Sequence, residues 1–276
     1  MDDANGMKHI TQIITLSMLT ASLLPAQLLE RIHVFPESTF VSAFTADAHA
    51  HRMETENIVF TKNVRASMGG IFPIFGVDAF GKTLQLSLGA SVHFELRPNG
   101  QAHVVSNDYY VDYLMLDIPL QEHYFARFVT GHTSHHLSDN TFERLKLTTA
   151  FTYSRDYVKL FAIYEKHLNQ QFYIGADYAY IMTIGQRLSK PWIFQAGGKI
   201  PMGEYFGFLS LYGAADCTIR QDANFAATNT LQVGVSLPMQ RGRIIRFALQ
   251  YRKGLDERGQ FIPQHRELST IGFSIE

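Results

Sequence analysis

The chain has 276 residues, of which 46% are hydrophobic and 18% charged, with a formal net charge of -1 and a mean hydropathy of -0.06. Near-neutrality gives no footing for nucleic acid, whose phosphates call for a basic surface, and the single cysteine, Cys217, cannot form an internal disulfide. A transmembrane β-barrel averages to this bland hydropathy because each spanning strand mixes lipid-facing and lumen-facing residues, and 13 Tyr and 21 Phe against one Trp would furnish its interfacial girdles.

In chain order, Met7, Lys8 and His9 precede an apolar run from Ile10 to Leu24, and Pro25-Ala26-Gln27 follows. This reads as a secretory signal over residues 1–26, cleaved after Ala26. Residues 27–60 read as a short irregular N-terminal extension, in which Phe35 to Glu56 is polar and without period. That stretch either sits in the periplasm or plugs a barrel. Residues 61–276 carry the strand pattern. No later apolar run is long enough for a spanning helix, so membrane insertion has to use strands, which must close on themselves.

From Thr83 to Leu96 the alternation is unbroken. Leu84, Leu86, Leu88, Ala90, Val92, Phe94 and Leu96 share one face, and Gln85, Ser87, Ser91, His93 and Glu95 the other. Such a strand lies between an apolar and a polar medium, and it exceeds the roughly nine to eleven residues that cross a bilayer at a tilt. Eleven strand-like segments follow from Val64: 64–77, 82–97, 108–118, 123–133, 145–156 or beyond, 172–183, 192–200, 205–216, 228–237, 243–252 and 268–275. Turn residues stand at Asp78 to Gly81, Pro98-Asn99-Gly100, Pro201-Met202-Gly203 and Gln240-Arg241-Gly242. Bacterial barrels use an even strand number, so one more strand is expected within Ile32 to Phe60, or a long one is split. The fold class is therefore all-β, a transmembrane antiparallel β-barrel of about twelve strands. A soluble two-sheet sandwich would also alternate, though with shorter strands.

Gly131 to Asn140 is the densest set of functional groups. Counting by two from Tyr124, Ala126 and Phe128 puts His132 and Ser134 on the apolar face, with Arg127 opposite. A His and a Ser at this spacing supply a general base, His132, and a nucleophile, Ser134. Among Thr152, Ser154 and Asp156 on the next segment, Asp156 best suits the orienting carboxylate. Apolar positions there shift from odd (Leu147, Phe151, Tyr153) to even (Val158, Leu160), so a bulge is expected near Arg155. The same block also suits a solvated polar loop. A metal site from His135, His136 and Asp139 would need side chains that point apart in a strand to converge. No cofactor is required, although a calcium ion on Asp139 and backbone carbonyls is compatible with ester hydrolysis.

Phe44-Thr45-Ala46-Asp47, Asn107-Asp108-Tyr109, the Gly131 to Asn140 block, Tyr153-Ser154-Arg155-Asp156, Tyr251-Arg252-Lys253-Gly254 and Gly259-Gln260-Phe261 together resemble an exported bacterial family known as domain of unknown function twelve-oh-seven. That resemblance implies an outer-membrane barrel and no activity. In the family the block tends to read His-x-Ser-Ser-His-Leu-Gly-Asp-Glu, so His135, Ser138 and Asn140 depart from it, and Asp156 stands where Glu is usual. More distantly, His132-Thr133-Ser134 is similar to the His-x-Ser pair on a lipid-facing strand of outer-membrane phospholipase A and lipid A deacylase. There the Ser is followed by Asn, whereas His135 follows here, and Lys146 stands where a third residue would be.

The expectation is a bacterial outer-membrane barrel, delivered by the barrel-assembly machinery. Its expected chemistry is hydrolysis of ester bonds of membrane lipid or lipopolysaccharide (lipid A) at the rim. The alternatives are a non-catalytic channel, adhesin or structural barrel lined by Arg127, Asp177, Arg246 and Arg252, and a lipocalin-like carrier.

Overall fold

The computed structural model describes residues 29–99, 101–144, 146, 153–166, 170–184, 191–239, 243–258, 261 and 264–276. The expected signal segment, Leu147, Phe151, Thr152 and the turn Gln240-Arg241-Gly242 lie outside them. The strands are β1 (Leu29–Val34), β2 (Met53–Ile58), β3 (Val64–Ala79), β4 (Lys82–Asn99), β5 (Gln101–Gln121), β6 (Tyr124–Leu137), β7 (Tyr153–Lys166), β8 (Gln170–Ile184), β9 (Trp192–Tyr205), β10 (Leu209–Arg220), β11 (Ala226–Pro238), β12 (Ile244–Leu255) and β13 (His265–Ile275). A short helix, α1 (Asp139–Arg144), follows β6.

Strands β3 to β13 pair antiparallel in chain order, and β2 pairs with both β13 and β3, which closes the sheet. β1 pairs farther along the same edge of β3, with Leu29 opposite Ala79 and Val34 opposite Phe75, whereas β2 lies beside Val64 to Ser67. β1 and β2 are thus two halves of one interrupted stave. The result is a closed antiparallel barrel of twelve strands, and no second sheet packs on it among the described residues.

Closure inverts the usual burial. On β4 Gln85 is 1% exposed and Leu88 43%; the polar face is the inside. Leu231, Val233, Phe247, Leu249, Ile271 and Phe273 continue the exposed apolar belt on β11 to β13. Short turns occupy one end: Phe80-Gly81 hold φ of 56° and 70°, the paired left-handed conformation that matches strand twist in a two-residue hairpin, and Phe206-Gly207, at 56° and 73°, open a three-residue turn between Tyr205 and Leu209. At the other end the chain leaves β6, β8 and β12 for its longer connections. Exposed aromatic rings ring both ends, with Phe80, Tyr124, Tyr205 and Phe206 below and Tyr109, Tyr113, Tyr180 and Trp192 above.

Two expectations need correction. Pro201-Met202-Gly203 is not a reversal but part of β9, where Tyr212 faces Pro201 and Leu211 faces Gly203, leaving Met202 as an extra residue. Proline and glycine serve a bulge as readily as a turn; the reversal falls at Phe206-Gly207, so β10 starts at Leu209. On β7 there is no change of phase, because Tyr153, Arg155 and Tyr157 all point inward and are buried. The irregularity lies across the ladder: Asp156 faces Ile181 and Tyr157 faces Ala179, so the extra residue is Tyr180 of β8. Tyr153 misled the count because its ring is apolar and its hydroxyl accepts from the Arg220 guanidinium.

The unperiodic stretch is a lumenal plug. Twelve strands about 4.8 Å apart and tilted about 40° enclose a cylinder about 24 Å across, too wide for wall side chains alone to fill. Residues 35–52 turn inward from the stave and fill it. Val41 and Phe44 bury against Phe161, Ile163 and Tyr173, with the Phe44 ring stacked 3.7 Å over Tyr173. Arg127 donates to the carbonyl of Val41, Gln171 to that of Ser42, and Ser42 to Glu165. Arg52 gathers the carbonyls of Phe44, Thr45 and Asp47. This segment shows no alternation because it packs on all sides.

The lumenal charges pair: Arg127 with Asp117 at 2.6 Å, Arg155 with Asp177 at 2.9 Å, and Arg246 with Glu276. At the long-loop end Glu257 lies 3.2 Å from Arg65, 3.4 Å from Arg252 and 3.2 Å from Arg266. Burial pushes its carboxyl up, but these guanidinium groups together with Arg258 outweigh burial and hold it well below the usual carboxylate range. A carboxyl whose folded-state value is depressed contributes stability that is complete above its unfolded value of about 4.3 and is lost as pH falls through the folded one. Hydrogen exchange of the 256–258 backbone, corrected for intrinsic rates, should therefore be flat from pH 8 to 5 and rise about tenfold or more below pH 4. Glu257→Gln should abolish that step; an identical step in the variant would refute the assignment.

Candidate functional site

Antiparallel register brings His132 of β6 directly opposite Asp156 of β7, and Ser134 opposite Ser154. Tyr157, Arg155, Gly131 and Thr133 take the inward positions, so His132, Ser134 and Asp156 take the outward ones. Nδ1 of His132 meets Oδ1 of Asp156 at 2.6 Å. A bond to the carboxylate fixes the proton on Nδ1 and leaves Nε2 as the basic nitrogen. Sequence phase alone places the imidazole; only the register supplies its carboxylate.

The hydroxyl of Ser134 is hydrogen-bonded at 3.3 Å to Nε2 of His136, two residues farther along the same face. This differs from the expected Ser134 to His132 contact, since side chains at this spacing stand side by side and His136 is exposed and free to turn toward the hydroxyl. The His136 ring also meets Tyr109, which lies across from Ser134 on β5. His135 points the other way, into the lumen, 3.0 Å from Asp108, while Asp139 opens α1 in the following loop. His135, His136 and Asp139 do not converge, and no group of three ligating side chains suited to a metal occurs among the described residues.

Both flanking strands bulge at this level. Asp112 faces Gly131 and Leu114 faces Thr130, which leaves Tyr113 as the extra residue on β5; Tyr180 is its counterpart on β8. Bulges re-aim side chains at barrel rims and beside active sites, and these two place exposed tyrosines on either side of the His132–Asp156 pair. His132 stands eight residues above Tyr124, about 20 Å above the short-turn end for a tilted strand rising about 3.3 Å per residue. An apolar belt is about 25 Å tall, so the pair sits in the upper aromatic girdle, where acyl chains give way to headgroups.

Inverted burial, even strand number, paired girdles and a polar pair on the outer face define a closed β-barrel of the outer-membrane type. The chain belongs to the family described as Protein of unknown function (DUF1207), matched over residues 7–276. Among solved structures it is similar to outer membrane phospholipase A from Escherichia coli, with a TM-score of 0.51 and 11% identity over 82% of this chain and 92% of that one. It is also similar to the NanC porin, with a TM-score of 0.40 and 14% identity over 82% and 100%. For the outer membrane protein OprD from Pseudomonas aeruginosa the TM-score is 0.31, with 9% identity over 88% and 98%. At these identities the first likeness speaks to the fold alone. No curated protein matches the chain.

Proposed function

We propose that this barrel, seated in the bacterial outer membrane, hydrolyses acyl ester bonds of membrane lipid or lipid A at its outer face. The observation that carries the reading is the His132–Asp156 pair, closed at 2.6 Å on a lipid-facing surface, where an exposed ion pair adds little stability and polar groups are costly. Ser134 is the nucleophile. His132 takes its proton at Nε2 and returns it to the leaving alcohol, and Asp156 holds the imidazole in that tautomer. Ser154, across the ladder from Ser134, offers a hydroxyl donor to the developing oxyanion. Apo hydrogen bonds at such sites tighten only when substrate arrives, and the bond from Ser134 to His136 gives way as the carbonyl enters. The substrate class is drawn from the resemblance of His132-Thr133-Ser134 to the pair in outer-membrane phospholipase A.

Lipid analysis of membranes from cells expressing the wild type and Ser134→Ala tests this. The wild type should release acyl chains or lysolipid and the variant should not. Equal acyl profiles at equal barrel content would retire the enzyme and leave a non-catalytic structural barrel, the reading favoured by the Ser134 bond to His136 rather than His132.

A further inference from the structure

A second Ser, His and Asp meet inside the barrel, independently of the outer site. His51 belongs to the plug, Ser91 to β4 and Asp112 to β5. Nδ1 of His51 lies 2.8 Å from Oγ of Ser91, and its Nε2 lies 2.9 Å from Oδ2 of Asp112. The Tyr157 hydroxyl donates to Oδ1 of Asp112 at 2.7 Å, and Nε2 of His93 lies 3.0 Å from Oγ of Ser91. With His51 neutral, these bonds admit one consistent set of protons. Asp112, accepting from Tyr157 and from His51, puts the His51 proton on Nε2. Nδ1 then presents a lone pair to Ser91, whose hydroxyl donates to it while its oxygen accepts from His93.

The wall is cut to fit this arrangement. A Cβ on Gly89 would stand 2.5 Å from Cδ2 of His51, and one on Gly131 would stand 2.7 Å from Oδ1 of Asp112. Only glycine at these inward positions lets the imidazole and carboxylate lie against the strands. A cavity of about 130 Å³ borders His51, Asp112, Tyr110 and His49. The ring of His49 stacks on Tyr110 at 4.7 Å, and its Nε2 is buried with no hydrogen-bond partner; in the Nε2–H tautomer it is a donor to a charge that develops in the cavity.

We propose that Ser91, His51 and Asp112 form an acyl-transfer site in the lumen, one that takes small carboxylic esters admitted past the long-loop end. Ser91 Oγ attacks the carbonyl carbon as its proton passes to Nδ1 of His51. The tetrahedral oxyanion takes the hydrogen bond of His49. Collapse breaks the ester C–O bond, His51 returns the proton to the leaving alcohol, and an acyl ester of Ser91 remains. Water then gives a proton to Nδ1 of His51 as its oxygen adds to the acyl carbon; collapse breaks the bond to Ser91 Oγ, which takes that proton back, and the carboxylic acid leaves. Asp112 and Tyr157 are positioning residues.

The experiment uses the full chain folded in detergent micelles and carrying Ser134→Ala, so the outer serine contributes nothing. 4-Nitrophenyl acetate is the probe; nitrophenolate release is followed by absorbance and the acetyl group is mapped by peptide mass. The expected result is a burst of about one nitrophenolate per barrel with acetyl on Ser91, absent in Ser91→Ala and slowed about 100-fold or more in His51→Gln. Heat-modifiable gel migration reports folding of each variant, and Ser91→Cys, isosteric and still nucleophilic, should keep the burst. Acetylation of a folded chain anywhere but Ser91, or Ser91 acetylated as fast without His51, overturns the proposal. Either result leaves the outer-site lipid analysis unaffected.

Discussion

Asp156→Asn should lower ester turnover at the outer face by about 10³- to 10⁴-fold, the scale on which a triad fails when the imidazole is held in the wrong tautomer. Asparagine keeps the size of the side chain but can offer an N–H where His132 requires an acceptor. The imidazole then turns its proton toward Ser134 and cannot serve as base. Asp156→Glu restores a carboxylate and should stay within about tenfold of wild type. Barrel stability will not separate these variants, because the pair is partly exposed at 32% and 25% and pairs of that kind contribute at most about 1 kcal/mol. Ester turnover will, and His136→Ala should leave it unchanged. Full turnover in Asp156→Asn, or its loss in His136→Ala, would make His136 the base.

Replacing residues 36–51 by a short Gly-Ser linker should turn a non-conducting barrel into one with discrete steps in a planar bilayer. In the intact chain the lower lumen holds Val41 and Phe44 against Phe161 and Tyr173, and lining cations such as Arg127 and Arg155 are bound to carboxylates. Removing the plug exposes that surface to water. Each lost large apolar side chain costs about 1.5–3 kcal/mol, and the ring stack on Tyr173 about 0.5–1.5 kcal/mol more. The thermal transition should fall by several degrees as conductance appears. Conductance in the intact chain, or none after replacement in a barrel that still shows heat-modifiable migration, would contradict the plug assignment.

Legibility in the sequence followed physical locality. The phase of β4, β11 and β12 was readable because a wall between two media writes a period of two into the chain. The outward facing of His132 and Ser134 followed from that same count. Asp156 was readable only as a candidate, because its pairing depends on the register of β6 with β7. The plug was readable only as one of two alternatives, because a segment surrounded by wall on all sides has no face to alternate. For the same reason His51, 40 residues from Ser91 and 61 from Asp112, had no signal in spacing. Pro201 and Tyr153 misled for local reasons, one serving a bulge in place of a reversal and the other carrying its ring into a polar interior.

The interrupted stave has a consequence for assembly. Because the insert is tied into the cylinder by β1 on one side and β2 on the other, it cannot swing out on a single tether like a cork on a string. Nor can it be threaded in after the hoop is complete. The last seam to zip, β13 on β2, joins Thr270 to Glu56 across 214 residues of chain, and such distant pairings form late because their loop entropy must be met first. Filling the bore and sealing the hoop are therefore one event, and a chain that reaches the closed state is stoppered from birth.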